Sequence, residues 1–436
     1  MSQGRKDRGA DRVRTPGLLQ RLRRSIDARV LRRTARLLED SVRRDSRLTR
    51  PLLRLLGIGP ETRFHRLFAM PLEWLDATRS ATATTLLEPS GEGWTHGPKI
   101  AGRQQVERVR LPGIRRHEFR DARVCAVSSS MLLADRVVVE RVPHVAVSRC
   151  DYSTGHIWAH GQRSAVMRSS PVEALDAGFF LAGNGAFNYY HWMVEILPKV
   201  QYARDGDGPL LVSEDVATIS TFREALDAVA GDRTVVYLDK QRTYRVERLV
   251  YVDTSVVCPF NLSAGEELRV EDFAMHRSGI DFLRSRLCKP ARRPVAEENS
   301  KDRRRIFLAR NTTRRNYNQE EVFEVFERLG FRKVFLENLT LREQIDEIAA
   351  AEMIAGPTGA AWANLVFASP GTQCLCWMAE ELRAYAGYSN LARAVGADMR
   401  YVTYVTGTKD TAQIYLMDYW IDPAALAREM EAFARQ

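Results

Sequence analysis

The chain has 436 residues, 45% hydrophobic and 28% charged, so it is long enough for two domains and too ordinary in composition for a collagen-like or low-complexity protein. Its net charge of +10 is local, because residues 1–57 hold 17 Lys and Arg against 6 Asp and Glu and the rest sums close to zero. A basic tail on a near-neutral body argues against a nucleic-acid-binding fold.

Residues 1–15 are polar and charged, a composition that does not bury a core. Over 16–57, Leu18, Leu22, Ile26, Val30, Leu37, Leu38, Leu52 and Leu55 recur at roughly helical spacing with arginines between them. Such a basic amphipathic helix suits an anionic membrane surface, or it packs on its own protein with solvated arginines. There is no run of about 18 apolar residues and no apolar segment fit for a signal peptide. The expected location is cytoplasmic, with peripheral contact at the inner face of the cytoplasmic membrane. The six cysteines form no C-x-x-C pair, and Cys374 and Cys376 alternate as small core residues of a strand.

Residues 58–288 are expected to form an N-terminal α/β domain. Val106–Leu111, Val124–Val127, Arg136–Val142 and His144–Ser148 read as strands. His156 and His160 stand four apart, but the flanking Gly155 and Gly161 argue against a shared helix face and a metal site. Gly178–Ala182 is an apolar strand, and Asn188 can cap a helix from Tyr189 to about Ala203. Trp192, Met193, Ile196, Leu197 and Val200 mark its buried face. His191 and Glu195 meet on the opposite face at i,i+4 spacing. A carboxylate that orients an imidazole suits a general base, and the same pair also reads as a solvated surface contact. The helix N-terminus, with Asn188 or Tyr190, offers an alternative hold on a substrate group.

Residues 289–303 carry two prolines and many charges, and read as a linker. Residues 304–436 then alternate strand and helix. Ile306–Ala309 is followed by a helix opened by Asn318 with Glu321 as capping partner. Val334–Leu336 precedes a second capping box, Thr340 with Glu343. Glu352–Ala355 runs into Gly356-Pro357-Thr358-Gly359-Ala360, and Ser369-Pro370-Gly371 turns into Gln373–Met378. This pattern implies parallel strands in a doubly wound layer, with ligands at their carboxyl ends. Arg310, Arg314 and Arg315 follow the first strand, and the glycine loop follows the third. Arginines opposite a helix N-terminus suit a diphosphate, although turn glycines and solvated arginines give the same letters. The loop is neither G-x-G-x-x-G nor a Walker A motif. Asp205-Gly206-Asp207 matches D-x-D only in letters, in a turn after a helix. Tyr401–Val405 and Gln413–Tyr419 read as strands, and Pro423–Arg435 as a closing helix.

Asn188-Tyr189-Tyr190-His191-Trp192, Leu197-Pro198, Arg310, Arg315, Glu337, Glu343-Gln344, Gly356-Pro357-x-Gly359-Ala360, Asn364 and Pro370-Gly371 occur in an order that resembles the glycosyltransferase 61 family, over roughly Gly178 to Met378. The chain departs from that family's pattern at Thr358, where His is usual, and at Ala361, where Gly is usual. The resemblance implies a GT-B-like fold, two Rossmann-like domains facing a cleft behind the basic extension, with the closing helix returning to the first domain. It implies an inverting, metal-independent transferase of the EC 2.4 class, moving a sugar from a nucleotide donor, UDP-linked first, to a glycan or lipid-linked saccharide in surface or capsular polysaccharide biosynthesis. No cofactor, metal or nucleic acid is expected. His191, assisted by Glu195, would deprotonate the acceptor. Arg310, Arg315 and the Gly356, Pro357, Thr358, Gly359 and Ala360 loop would hold the diphosphate. Glu337 would bind ribose or base hydroxyls, Gln344 would make base or capping contacts, and Asn364 would support the loop or be structural. A non-catalytic nucleotide-sugar- or glycan-binding scaffold of the same fold is the alternative, and Thr358 is the residue that keeps it open.

Overall fold

The computed structural model describes residues 36–37, 39–45, 67–143, 145–259, 261–263, 265–288, 304–311 and 315–434. Most of the basic extension and the whole expected linker, 289–303, lie outside these residues. The described part of the extension rests on the protein. Val42 is fully buried, Arg43 pairs with Glu39 and Asp151, and Asp45 accepts from the amides of Gln162 and Arg163.

The first sheet has eleven strands. Its parallel part consists of β1 (Val172–Leu181), β2 (Leu210–Ser213), β3 (Val235–Leu238) and β4 (Thr243–Val252), in the order β3–β2–β1–β4, with helix α1 (Ser220–Ala230) between β2 and β3. The register sets Phe179 beside Leu210 and Val250. The end of β1 is buried at every residue, as expected for a strand covered on both faces. Beyond β4 the sheet turns antiparallel through Ile114–Val124 and continues as short strands to Ile157–His160. Helix α2 (Arg277–Leu287) closes this half. His144 lies outside the described residues, and Val147–Arg149 is a 3-10 turn rather than the strand expected there.

The second sheet is built on β5 (Arg304–Leu308), β6 (Arg332–Val334), β7 (Ala351–Pro357), β8 (Gln373–Ala379) and β9 (Asp398–Tyr404). All five are parallel, in the order β6–β5–β7–β8–β9. Helices α3 (Gln319–Arg328), α4 (Leu341–Ala349), α5 (Gly387–Val395) and α6 (Pro423–Ala434) alternate with or follow these strands. Lys99–Ile100, from the first half of the chain, adds a sixth parallel strand beside β9. The two halves share one hydrophobic cluster, from Phe179, Trp192 and Phe222 to Phe307, Trp362 and Trp377.

Three local expectations change. Thr340 and Glu343 form their capping box, but Asn318 does not cap α3. Its side chain is taken by Glu321 and by both backbone groups of Ile421, which ties the C-terminal segment to the start of α3. Gln413–Tyr419 is not a strand. A short helix, Thr411–Ile414, and its turn use local carbonyls as acceptors, and this carries Tyr415 and Tyr419 over Arg315. Finally, α6 stays on its own half against α3 and β9, where Phe433 lies 4.0 Å from the Arg400 guanidinium.

Candidate functional site

The element after β1 is not the regular amphipathic helix that its periodicity suggests. Asn188 caps it, its Oδ1 accepting the Tyr190 N–H at 2.9 Å. One α-turn, Tyr189–His191, then widens into a five-residue π-helix, Trp192–Ile196, and tightens into a 3-10 segment, Leu197–Tyr202. The Leu197 N–H reaches back five residues to Trp192 O, and the next residue, Pro198, has no N–H for Val194 O and a ring that crowds that carbonyl, so the α-helical ladder cannot continue. The segment is buried nearly all round, so His191 and Glu195 are not a solvated pair. His191 is 6% exposed, and its Nδ1 lies 2.5 Å from Glu195 Oε2. Gly185 (φ +77°) makes room for the ring, since a Cβ there would lie 2.9 Å from His191 Cγ. Tyr190 is buried edge-on to His191 and to Tyr388 of α5, and burial holds its hydroxyl protonated by pushing its pKa well up. Asn188 and Tyr190 are therefore in use as a cap and a core contact between the halves.

On the second sheet, the strand order reverses between β5 and β7, which makes the space past their carboxyl ends its switch-point crevice. Arg310 follows β5. Gln319 grips both backbone groups of Arg310, and Glu337 Oε1 accepts the Asn311 N–H at 2.8 Å, so the turn is fixed from two sides. The Arg310 guanidinium donates to Thr358 O. Gly359 permits this closeness, because a Cβ there would lie 2.8 Å from Arg310 Nη2. Arg315 is 5% exposed at φ +56°, an uncommon conformation for a side-chain-bearing residue. Its Nη2 donates to Tyr404 Oη at 3.3 Å, its guanidinium lies over Tyr415, and its Nε has no partner. Neither arginine is in an ion pair among the described residues. A 3-10 helix, Ala360–Phe367, opens right after Gly359, and no side chain caps its N-terminus.

Other expected donor residues make contacts within the protein. Gly356 is inside β7, where a Cβ would lie 2.7 Å from Leu308 Cβ, so it is a packing glycine. Pro357 ends the strand, and its carbonyl accepts Trp362 Nε1–H at 3.0 Å. Gln344 is buried, with its Nε2 donating to the carbonyls of Leu336 and Leu339. Asn364 is 1% exposed, bonded to Ala361 O and to Tyr189 Oη. Thr358 is buried beside Tyr388, and its N–H extends the β7–β8 ladder to Trp377 O. Ala360, at the 3-10 N-terminus, stays half-exposed at the crevice with Gly359 and Arg310.

The two candidate centres are linked by buried aromatic residues. Cys258 contacts Tyr385 Oη at 3.4 Å, Tyr385 packs on Tyr388, and Tyr388 meets both Tyr190 and Thr358. Sequence reasoning missed Tyr404, Tyr415 and Tyr419 around Arg315, and the Gln319 clasp on Arg310. Only the i,i+4 spacing of Tyr415 and Tyr419 signals the first group. Asp207 of the D-x-D letters is buried in a bidentate pair with Arg116. Among the described residues, no group of three or more His, Cys, Asp or Glu is placed to hold a metal ion.

The family model for Glycosyltransferase 61 matches residues 189–375, from the first residue of the capped turn to the middle of β8. No curated protein matches the chain. The matched span takes in both the His191–Glu195 pair and the Arg310 crevice, so residues 189–375 form a glycosyltransferase 61 domain and the protein is a glycosyltransferase.

Proposed function

We propose that the protein is an inverting, metal-independent glycosyltransferase with a GT-B-like arrangement, residues 58–288 on the acceptor side and 304–436 on the donor side. Its main support is the pair of arginines at the β5–β7 switch point, half-buried or buried and without a carboxylate partner among the described residues. Two guanidiniums and a helix N-terminus converging on one crevice suit a diphosphate, and they supply the positive charge a divalent cation would otherwise bring. Glu337, beside the Arg310 turn, takes the ribose hydroxyls. The donor is a nucleotide sugar, UDP-linked first.

In the transfer step, an acceptor hydroxyl attacks the anomeric carbon from the face opposite the diphosphate. Its proton passes to His191 Nε2, since Glu195 holds Nδ1 and stabilises the imidazolium. The anomeric C–O bond breaks, and its electron pair leaves on the diphosphate, where Arg310 and Arg315 neutralise it. The acceptor is a glycan or lipid-linked saccharide in surface or capsular polysaccharide assembly. The basic residues 16–57 would bring the enzyme to an anionic membrane surface at the inner face of the cytoplasmic membrane.

A thermal-shift series with UDP, GDP, CMP and their common sugar conjugates, with and without EDTA, tests the donor side. One nucleotide class should raise the melting temperature, keep its effect in EDTA and lose it in Arg310→Ala. A cooperative melt that no nucleotide shifts would remove the donor assignment and leave the scaffold alternative.

A further inference from the structure

The first sheet has a switch-point crevice of its own. Strand β1 leads outward to β2 and β3, and β4 returns on the other side of β1, so the crevice opens past Leu181 and Val252. Asn184 after β1 and Thr254 after β4 line it, together with Glu140, Glu195 and Lys199. Ligands of open α/β sheets bind at such places.

Lys199 is the unusual group there. It sits in the 3-10 segment that Pro198 imposes and is only 5% exposed. Its ammonium lies 3.6 Å from Glu140 Oε2 and 5.1 Å from the centre of the Tyr251 ring, and it makes no hydrogen bond to a described residue. An ammonium carries three donors, and with only the Glu140 contact beside it Lys199 keeps donors open to whatever enters the crevice. Glu140 is held in place beside it. Tyr251 Oη donates to Oε2 at 2.5 Å and the Thr254 N–H to Oε1 at 2.9 Å, which leaves further lone pairs on the carboxylate. Lys199 and Glu140 balance each other's charge, and the other two charged residues of the lining are engaged elsewhere, Arg141 with Asp76 and Glu195 with His191, so this crevice does not favour an ion. Val142, Pro143, Val256 and Val257 give it an apolar wall. A donor and an acceptor side by side against apolar side chains match a sugar ring, with its hydroxyl rim and C–H faces. The Glu195 that borders the crevice is the same carboxylate that orients His191.

We propose that this crevice holds the acceptor's terminal sugar as a neutral polyhydroxylated ring, one hydroxyl bridging Lys199 Nζ and Glu140 Oε2 and a neighbouring hydroxyl turned toward the Glu195–His191 pair. The proposal rests on the glycosyl-transfer reading above and adds the chemical class of the acceptor and the two residues that read it.

The test is saturation-transfer NMR on the full chain with methyl glycosides of the common neutral hexoses, pentoses and deoxyhexoses, with glucuronate as charged control and the stabilising nucleotide present. Wild type should bind at least one neutral glycoside. Lys199→Met and the isosteric Glu140→Gln should each weaken that binding at least tenfold, while the nucleotide-induced thermal shift stays as in wild type. Glucuronate should bind no better than the neutral sugars. The proposal is overturned if no neutral glycoside in the panel binds, if the variants bind as well as wild type, or if glucuronate binds best. Should Lys199→Met fail to melt cooperatively, Glu140→Gln decides alone. A wild type that binds the glycoside but shows no nucleotide shift would sink the donor reading and spare this one.

Discussion

The two switch-point crevices share a topology and differ in charge. Past β5 and β7 stand Arg310 and Arg315, neither in an ion pair among the described residues. Past β1 and β4 stand Lys199 and Glu140, a cation and a carboxylate 3.6 Å apart beside an apolar wall. On the reading proposed above, the same backbone design offers one place for an anion and one for a neutral hydroxylated ring. A sugar transferase needs such a division, because its donor carries the charge and its acceptor carries the nucleophile. The π-turn that begins at Trp192 joins the two, with its Asn188–Tyr190 cap packed against the second half and Lys199 in the first.

The most drastic way to break this division is at the base. His191→Ala should lower kcat by about 10²–10⁴-fold while leaving the nucleotide thermal shift intact, since the ring serves the acceptor side. A lost nucleotide response in that variant would show that His191 belongs to the donor site. Arg310→Ala should do the reverse, weakening nucleotide binding and lowering kcat/KM by about 10²-fold or more. Equal nucleotide affinity in wild type and Arg310→Ala would contradict the anion role of the crevice.

The two glycines of the loop separate chemistry from packing on a smaller scale. Gly356→Ala places a Cβ 2.7 Å from Leu308 Cβ, backbone-anchored and unable to move aside, and should cost about 1–3 kcal/mol of stability in a melt. Gly359→Ala meets only the tip of Arg310. It should leave the melting temperature nearly unchanged and weaken the nucleotide by about tenfold, read by titration calorimetry. The opposite assignment of the two effects would mean that Gly356, not Gly359, faces the ligand.

These glycines also mark how far the amino-acid pattern could be read. The alternation of β5 to β9 with their helices was legible because each apolar run and each cap is local, and the Thr340–Glu343 box formed as its letters suggest. Which loop residues face the crevice was not legible, since Gly356 and Gly359 differ only in whether their neighbour is a core leucine or an arginine. The π-turn was hidden because helical periodicity does not register a missing N–H at Pro198, although the i,i+4 contact of His191 and Glu195 survived the change. The first crevice had no signal at all. Glu140, Asn184, Lys199 and Thr254 come from four separate segments that only the sheet order brings together.

The difference in charge between the crevices predicts a difference in response to salt, the smallest effect and the one that compares them directly. Two guanidiniums with no ion-pair partner among the described residues attract a diphosphate through a field that ions screen, over a Debye length of about 10 Å at 0.1 M and about 3 Å at 1 M. A neutral sugar gains nothing from that field, and the Lys199–Glu140 pair it meets is already balanced. Raising the salt from 0.05 to 0.5 M should therefore weaken nucleotide binding severalfold in wild type and change glycoside binding by less than about twofold. Arg315→Gln should flatten the nucleotide's salt dependence, because one of the two charges that produce it is gone. If instead glycoside binding falls with salt as steeply as nucleotide binding, both ligands are held by the same arginines and the two crevices act as one site.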